Sequence, residues 1–479
     1  MSLFELPAPL ARVHPRNRWR HASAKNPLMS LGWKATGILG RLAKNVGWLI
    51  GSRGFAAVAS IGYLAIAARS LGPKGFGAFT LVLTYAQLIA NVVQFQSFKS
   101  VIRYGALHLA RDRHGRLGRL IGLTATLDWA SGVVGAVCAI IIAPFAAPLL
   151  HWNVVEQHYA QLFAAALLVT TGSTPTGILR LFNRFDLIAY TEAISPAIRV
   201  LGSIIAWMMG ASLISFLTVW ATAGAIQTIA QWIAALSVQL ARPQFGVRAF
   251  VLAVRENRRI LPFLVQTNIS SSLNSSMDLG ILAVGAAAGP VEAGGFRIAQ
   301  RLAKAITNPV ETVTKALYPE FAHLVAKDDQ RKLRHLLIRV CSIAAALGGL
   351  AILFAGPGAS TILRLVAGPR FGFARDYLLL LLIAAAIDLA GFALEPFHNA
   401  YGWAARVLRI RAVSAVAYVV FLGLLLPAFG AMGAAVAAIG LSMITFVQFA
   451  LSAAGALRNQ TVWLISRYKP DRGRSELGM

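Results

Sequence analysis

Apolar stretches of about 20 residues recur from residue 46 to residue 456, and no other feature of the chain constrains its fold as strongly. A stretch of that length crosses the ~30 Å hydrocarbon layer of a bilayer as a helix rising 1.5 Å per residue. Inside hydrocarbon no water satisfies backbone N–H and C=O groups, so only helices and closed barrels can span it. The runs are made of Ala, Leu, Ile, Val and Gly, without the ten-residue alternation and turn signals of a membrane barrel. The sequence therefore predicts an all-α polytopic integral membrane protein of about twelve transmembrane helices. The expected spans lie near 46–69, 76–98, 119–143, 160–179, 190–209, 212–240, 260–288, 293–315, 337–356, 376–398, 410–428 and 431–456. Composition agrees: 57% of the 479 residues are hydrophobic and 13% charged, against about 25% charged in soluble proteins.

Forty-five Lys+Arg against 18 Asp+Glu leave a formal charge of +27, which in a soluble chain would point to nucleic acid. The placement of the cations gives another explanation. With the expected spans in place, 36 cations fall on the side of the N-terminal arm, five on the opposite side and four (Arg53, Arg297, Arg301 and Lys304) inside spans. That asymmetry is the positive-inside rule. It predicts cytoplasmic N- and C-termini, and it removes the need for a nucleic-acid partner. Residues 1–45 carry Pro7, Pro9, Pro15 and Pro27 among their cations and no apolar core of 7–15 residues, so they read as a basic cytoplasmic arm and not as a secretory signal. Residues 241–259 read as a basic linker and 457–479 as a basic tail.

No phosphate-binding loop, nucleophile elbow, zinc-protease helix or dinucleotide fingerprint occurs in the sequence. Cys138 and Cys341 stand singly in separate spans, outside any Cys/His cluster. His151 and His158 flank Glu156 in a short loop beside Trp152, a spacing that suits an amphipathic edge better than a metal site. The expectation is a protein without cofactor, metal or catalytic residues, whose chemistry is movement.

Internal repetition organises the chain. Gly72-Pro73-Lys74-Gly75-Phe76-Gly77-Ala78-Phe79 is echoed 217 residues later by Gly289-Pro290-Val291-Glu292-Ala293-Gly294-Gly295-Phe296, and Asn91 maps onto Asn308. Two six-helix halves follow, 46–240 and 260–456. Six being even, both begin on the same side of the membrane, which is the parallel kind of transporter repeat with substrate bound between the halves.

Spans that face such a cleft should carry polar residues on one face, because ionisable groups at the bilayer centre cost at least ~2.5–3.5 kcal/mol each. Arg297, Arg301, Lys304, Asn308, Glu311 and Lys315 follow one another at steps of three and four and share one helical face. An interfacial amphipathic helix is the competing reading, but it would break the parity that explains the cation distribution. Mapped back, the equivalent face is Thr80, Thr84, Gln87, Asn91, Gln94 and Phe98, polar but uncharged. Gln266, Ser270, Asn274 and Asp278 make a second stripe at strict i+4 spacing, and Arg53 corresponds by the repeat to Ser270. Arg297, Arg301, Lys304 and Arg53 are the candidate anion-binding cluster, although Arg53 could equally snorkel to the interface. Gln87, Asn91, Gln94, Asn274 and Asn308 are amides suited to sugar hydroxyls. Asp278, Glu311, Asp388 and Glu395 are candidates for ion coupling; for Asp128, Asp388 and Glu395, the last with His398 one turn on, a proton site and a simple partner for a cation remain two open readings. Pro309 frees the carbonyl of Ala305 and provides a flexure in the charged helix.

The segment Ala68-Arg69-Ser70-Leu71-Gly72-Pro73-Lys74-Gly75-Phe76-Gly77 and the later Tyr318-Pro319-Glu320-Phe321 resemble the multidrug/oligosaccharidyl-lipid/polysaccharide exporter superfamily, and within it the polysaccharide-transporter (Wzx-type flippase) branch. The resemblance covers roughly 45–456. It implies a pair of six-helix bundles that moves undecaprenyl-pyrophosphate-linked oligosaccharide across the bilayer by alternating access, without ATP hydrolysis, alongside a polysaccharide polymerase and chain-length machinery. The forked guanidinium donors of Arg297 and Arg301 would match the pyrophosphate oxygens. A cation-coupled multidrug-type antiporter is the first alternative, and a polytopic glycan polymerase or ligase the second.

Overall fold

The computed structural model of the chain describes residues 38–170, 172–238, 242–274, 277–307, 310–327 and 329–458. Every regular element among them is helical. Seven helices are long and apolar enough to cross a membrane, the longest being Gly54–Ala110 and Ala404–Leu457. Large apolar side chains stand exposed along them, Trp129, Phe145, Met208, Phe354, Leu424 and Leu451 among others. In water such a surface would drive aggregation; against acyl chains it is the expected face.

The two longest helices are each broken once. The helix Ile38–Val93 is interrupted at Gly72, whose φ of 67° and ψ of 178° suit a residue without a Cβ. Pro73 then opens the next segment, where its missing N–H costs nothing. The helix Ala404–Arg458 breaks at Gly430, three residues after Pro427. A Cβ on Gly433 would collide with the carbonyl of Leu425. In one continuous helix those residues would be about 12 Å apart, so the chain folds back sharply at this point.

The 217-residue repeat extends to the elements themselves. Shifted by that interval, Phe185–Met208 falls on the first segment of Ala404–Arg458, Leu213–Val238 on its second, and Thr174–Leu181 within three residues of Leu394–Ala400. The left-handed residues recur too: Gly72 and His151, at φ 67° and 56°, correspond to Gly289 and Gly368, at φ 87° and 95°.

The described residues from Leu49 onward form one compact unit, and its apolar interior is divided unevenly. A central cluster draws on both halves, with Phe76, Phe79 and Phe216 from the first and Phe296, Phe371 and Tyr418 from the second. Toward the other end each half has its own cluster, one around Leu117, Ile121 and Ile178, the other around Phe321, Leu333 and Phe397. Ala253, Ile260 and Leu264, from the linker and the start of the seventh span, pack into the first-half cluster.

The central cluster is built on the two Gly-Pro motifs. They face one another: a Cβ on Gly294 would lie 3.1 Å from the Cα of Gly77, its own repeat equivalent, and a Cβ on Gly77 would fall on the carbonyl of Pro290. Around this crossing the Phe76 and Phe371 rings meet edge to face at 5.8 Å. The Arg69 guanidinium donates to the carbonyl of Leu365. Overpacking a tight contact typically costs ~1–3 kcal/mol, so Gly77→Val is expected to lower the unfolding temperature of the detergent-solubilised protein by several degrees. Gly62→Ala, where a Cβ meets open space, serves as the control and should leave it unchanged; equal behaviour of the two variants would show that the crossing does not organise the core.

Candidate functional site

The helix Pro290–Thr307 starts one residue after the left-handed Gly289 and is strongly two-faced. Ala293, Phe296, Ile298, Ala299 and Ala303 are buried in the central cluster. The opposite strip carries Arg297, Arg301 and Lys304, all half-buried. Ile298 and Leu302, on the apolar side, meet protein and not lipid.

The cations do not stand alone. Arg297 Nη1 lies 3.6 Å from Asp278 Oδ1, with both side chains about one-fifth exposed (21% and 22%). That separation is an ion pair without a short hydrogen bond. Arg301 Nε donates to Ser60 Oγ at 3.2 Å, and the same hydroxyl donates to the Ala57 carbonyl at 2.7 Å. Ser60 belongs to the first half, so Arg301 bridges the two. Lys304 is within electrostatic reach of Asp278, Arg297, Arg301 and Asp388, and Asp388 within that of Arg411. Glu395 is engaged by Arg411 as an ion pair. His398 is buried, with Nδ1 at 2.7 Å from the Leu394 carbonyl and Nε2 at 2.8 Å from Ser452 Oγ. Glu395 thus stands as the partner of a cation, and His398 as a core residue with both ring nitrogens engaged.

The uncharged face divides. Thr80 and Thr84 are buried, Thr84 Oγ1 donating to the Thr80 carbonyl at 2.7 Å, and so they lie away from any passage. A repeat maps the rotation of a helix, not what packs against it. Gln87 is exposed and helps to line a cavity of about 390 Å³ in the first half. Asn91 and Gln94 are half-buried at the end of their helix. There Ser272 Oγ donates to the Asn91 carbonyl at 2.8 Å and Asn268 Nδ2 to that of Val92 at 3.0 Å, satisfying groups that a helix end leaves without partners. The side chains of Arg53, Asn274, Glu311 and Lys315, and the whole of Asn308 and Pro309, lie outside what the structure describes.

Two arginines that the cation count places in a cytoplasmic loop sit in the wall of the first-half cavity. Arg199 lies inside the helix Phe185–Met208, its guanidinium 4.9 Å over the ring of Trp220 and 5.8 Å from that of Tyr63. Arg180 lies 4.8 Å over Phe98. The signal was present in the spacing: Glu192, Ser195, Arg199 and Ser203 recur at steps of three and four within an otherwise apolar run. Gln227 and Gln231, one turn apart on the helix Leu213–Val238, line the same cavity.

Asp128 occupies neither site. It is 2% exposed, and its carboxylate accepts hydrogen bonds from Ser97 Oγ, from the Ser173 and Thr174 amides, both at 2.8 Å, and from Thr174 Oγ1 at 2.7 Å. It therefore caps the helix Thr174–Leu181 from a neighbouring helix, where a negative charge opposes the helix dipole favourably. In the same way Glu156 and Asn153 exchange side-chain-to-backbone bonds of 2.9 and 2.8 Å at the start of Val154–Thr170. That capping box commits the Glu156 carboxylate that sits between His151 and His158.

Solved structures show the same all-helical fold. A multidrug resistance MATE family transporter of the MOP superfamily, in its inward-facing conformation, superposes with a TM-score of 0.64 at 15% identity, covering 90% of this chain and 99% of its own. The lipid II flippase MurJ in an inward closed conformation superposes at 0.66 with 10% identity, covering 90% and 94%. Inner membrane protein YghQ of Escherichia coli (strain K12) is 30% identical over 329 residues, which is 67% of this chain and 90% of that protein. A family model described as polysaccharide biosynthesis protein matches residues 42–325. The chain belongs to that family.

Asp128 separates a structural carboxylate from a proton carrier. Because four donors converge on a buried acceptor, Asp128→Ala should destabilise by at least ~2 kcal/mol and reduce the amount of folded protein recovered from membranes. Asp128→Asn should recover part of that loss. A normal level of folded Asp128→Ala protein with transport that no longer responds to pH would reverse the assignment.

Proposed function

We propose that the chain is a lipid-linked oligosaccharide flippase, carrying undecaprenyl-pyrophosphate glycan from the cytoplasmic to the outer leaflet. The observation that carries this reading is the charge balance on the helix Pro290–Thr307. Three cations, Arg297, Arg301 and Lys304, lie within electrostatic reach of two carboxylates, Asp278 and Asp388, so the cluster keeps a positive excess. A headgroup with negative charge cannot enter hydrocarbon without such compensation. The long Asp278 contact leaves Arg297 able to turn its fork toward phosphate oxygens. Arg301, oriented by Ser60, presents a guanidinium across the interface of the halves. A cation-exporting antiporter would need the opposite sign in this place.

Alternating access supplies the movement. The halves share one core at the end that carries Gly72, Gly289 and Gly368 and keep separate cores toward the other end. With the cation-rich loops and both termini on the cytoplasmic side, the shared core closes the passage to the exterior and the substrate enters from within. Residues 46–240 and 260–456 then act as the two moving bundles, and the exported glycan passes to a polysaccharide polymerase and its chain-length machinery. Ion coupling falls to Asp278, paired with Arg297, and Asp388, within electrostatic reach of Lys304.

Two experiments test this reading. Arg297→Ala or Arg301→Ala removes a charge-assisted contact that contributes ~1.5–3 kcal/mol, so glycan export should fall about tenfold or more at unchanged protein abundance. Arg→Lys should restore it only in part, since the charge remains and the fork is lost; full export by the double alanine variant excludes an anion site on this helix. For the orientation, reporter fusions after Arg111, Arg255 and Arg331 should register cytoplasm, and fusions near Val154 and Gly289 the exterior. A cytoplasmic Gly289 would dismantle the two-half mechanism.

A further inference from the structure

The cavity of the first half is separate from the cationic face of Pro290–Thr307 and has a chemistry of its own. Its volume, about 390 Å³, falls in the small-molecule range of ~300–1,000 Å³. Two guanidinium groups stand in its wall, and among the described residues none that lines it is acidic. Nearby Asp128 is consumed by its four donors, and Glu192 lies two turns from Arg199 along the helix. The Arg199 guanidinium packs against the rings of Trp220 and Tyr63, at 4.9 and 5.8 Å; among the described residues its Nε is buried without a hydrogen-bond partner. Side-chain amides of Gln87, Gln227 and Gln231 complete the wall.

We propose that this cavity is a second recognition site, for the carboxylate of an acidic sugar in the glycan being moved, with Arg199 and Arg180 pairing with the carboxylate and the glutamines with ring hydroxyls. An in-plane fork matches a planar carboxylate in bidentate fashion. The three primary amides are superfluous for a bare phosphate, whereas a sugar ring has hydroxyls to satisfy. Tyr63 ties the two sites together: it neighbours Arg199 on one side and is within electrostatic reach of Arg297 on the other. A single substrate can therefore place its diphosphate in one half and an acidic sugar in the other. The inference rests on the flippase reading for the identity of the ligand, but on Arg199 and Arg180 for its site.

The test uses the full-length protein in lipid nanodiscs and three soluble probes: a glucuronate-containing disaccharide, its methyl ester and inorganic pyrophosphate. The acid should bind at least tenfold more tightly than the ester, a comparison that needs no variant. Arg199→Gln and Arg180→Gln should bring the acid down to the level of the ester and leave pyrophosphate binding intact. The Arg297→Ala, Arg301→Ala variant should do the reverse. Equal binding of acid and ester to the wild type overturns the proposal, and so does a folded Arg199→Gln protein that loses pyrophosphate while keeping the acid. Binding of the acid at Arg199 with no pyrophosphate binding anywhere would remove the diphosphate reading and leave this site standing.

Discussion

The backbone contact between Gly77 and Gly294 is the constraint on which the rest of the molecule depends. Lipid tails are as apolar as leucine, so helices in a bilayer gain little from hiding apolar surface and associate through close packing instead. A Cβ on Gly77 would fall on the Pro290 carbonyl, so that position admits only glycine, and one on Gly294 would lie 3.1 Å from the Gly77 Cα, tighter than ordinary van der Waals contact. Because each glycine sits four or five residues beyond a left-handed Gly-Pro start, the crossing also fixes where each following helix begins. Arg297 comes seven residues after Pro290, hence about 10 Å along the axis. The depth of the cationic face follows from the position of a pair of glycines that carry no charge.

Carboxylates within the membrane have separate fates here, and their neighbours explain each one. Asp128 meets four donors, two of them backbone amides at a helix start, and becomes a structural fastener. Glu395 meets a single guanidinium and forms a closed pair. Asp278 meets Arg297 at 3.6 Å, too far for a short hydrogen bond. Only the last arrangement leaves both partners able to exchange the other for something else. Under the proposed function, a substrate anion competing for Arg297 would at the same time release Asp278, and binding of the cargo would then be coupled to the availability of an acid.

Much of this was legible in the sequence, because hydrocarbon leaves the backbone few choices. The helical class follows from run length, and the 217-residue echo predicted which helices repeat. The stripe of Arg297, Arg301 and Lys304 was readable because steps of three and four put side chains on one face whatever surrounds them. What packs against a face is not written in its own spacing. Thr80 and Thr84 lie on the same stripe as Gln87 yet are buried, since the partner helix that covers them is far away in sequence. Arg199 was counted with a loop because its neighbours in sequence include Arg180 and Arg184; only the aromatic rings of Trp220 and Tyr63, brought in by folding, show that it belongs inside. The role of Asp128 likewise depends on a helix start 45 residues away.

The hydrogen bonds from Ser272 and Asn268 to the carbonyls of Asn91 and Val92 carry a consequence for the medium in which the protein moves. Those carbonyls belong to the end of a helix, and no further turn of that helix follows to donate its N–H groups to them. If the two helices part, each carbonyl must find another donor, and acyl chains offer none. Separation at that point is therefore possible only where water follows into the gap. Under the proposed function, an opening step at this point would draw in solvent and resist osmotic withdrawal of it, so hydration itself would be a reactant in the cycle.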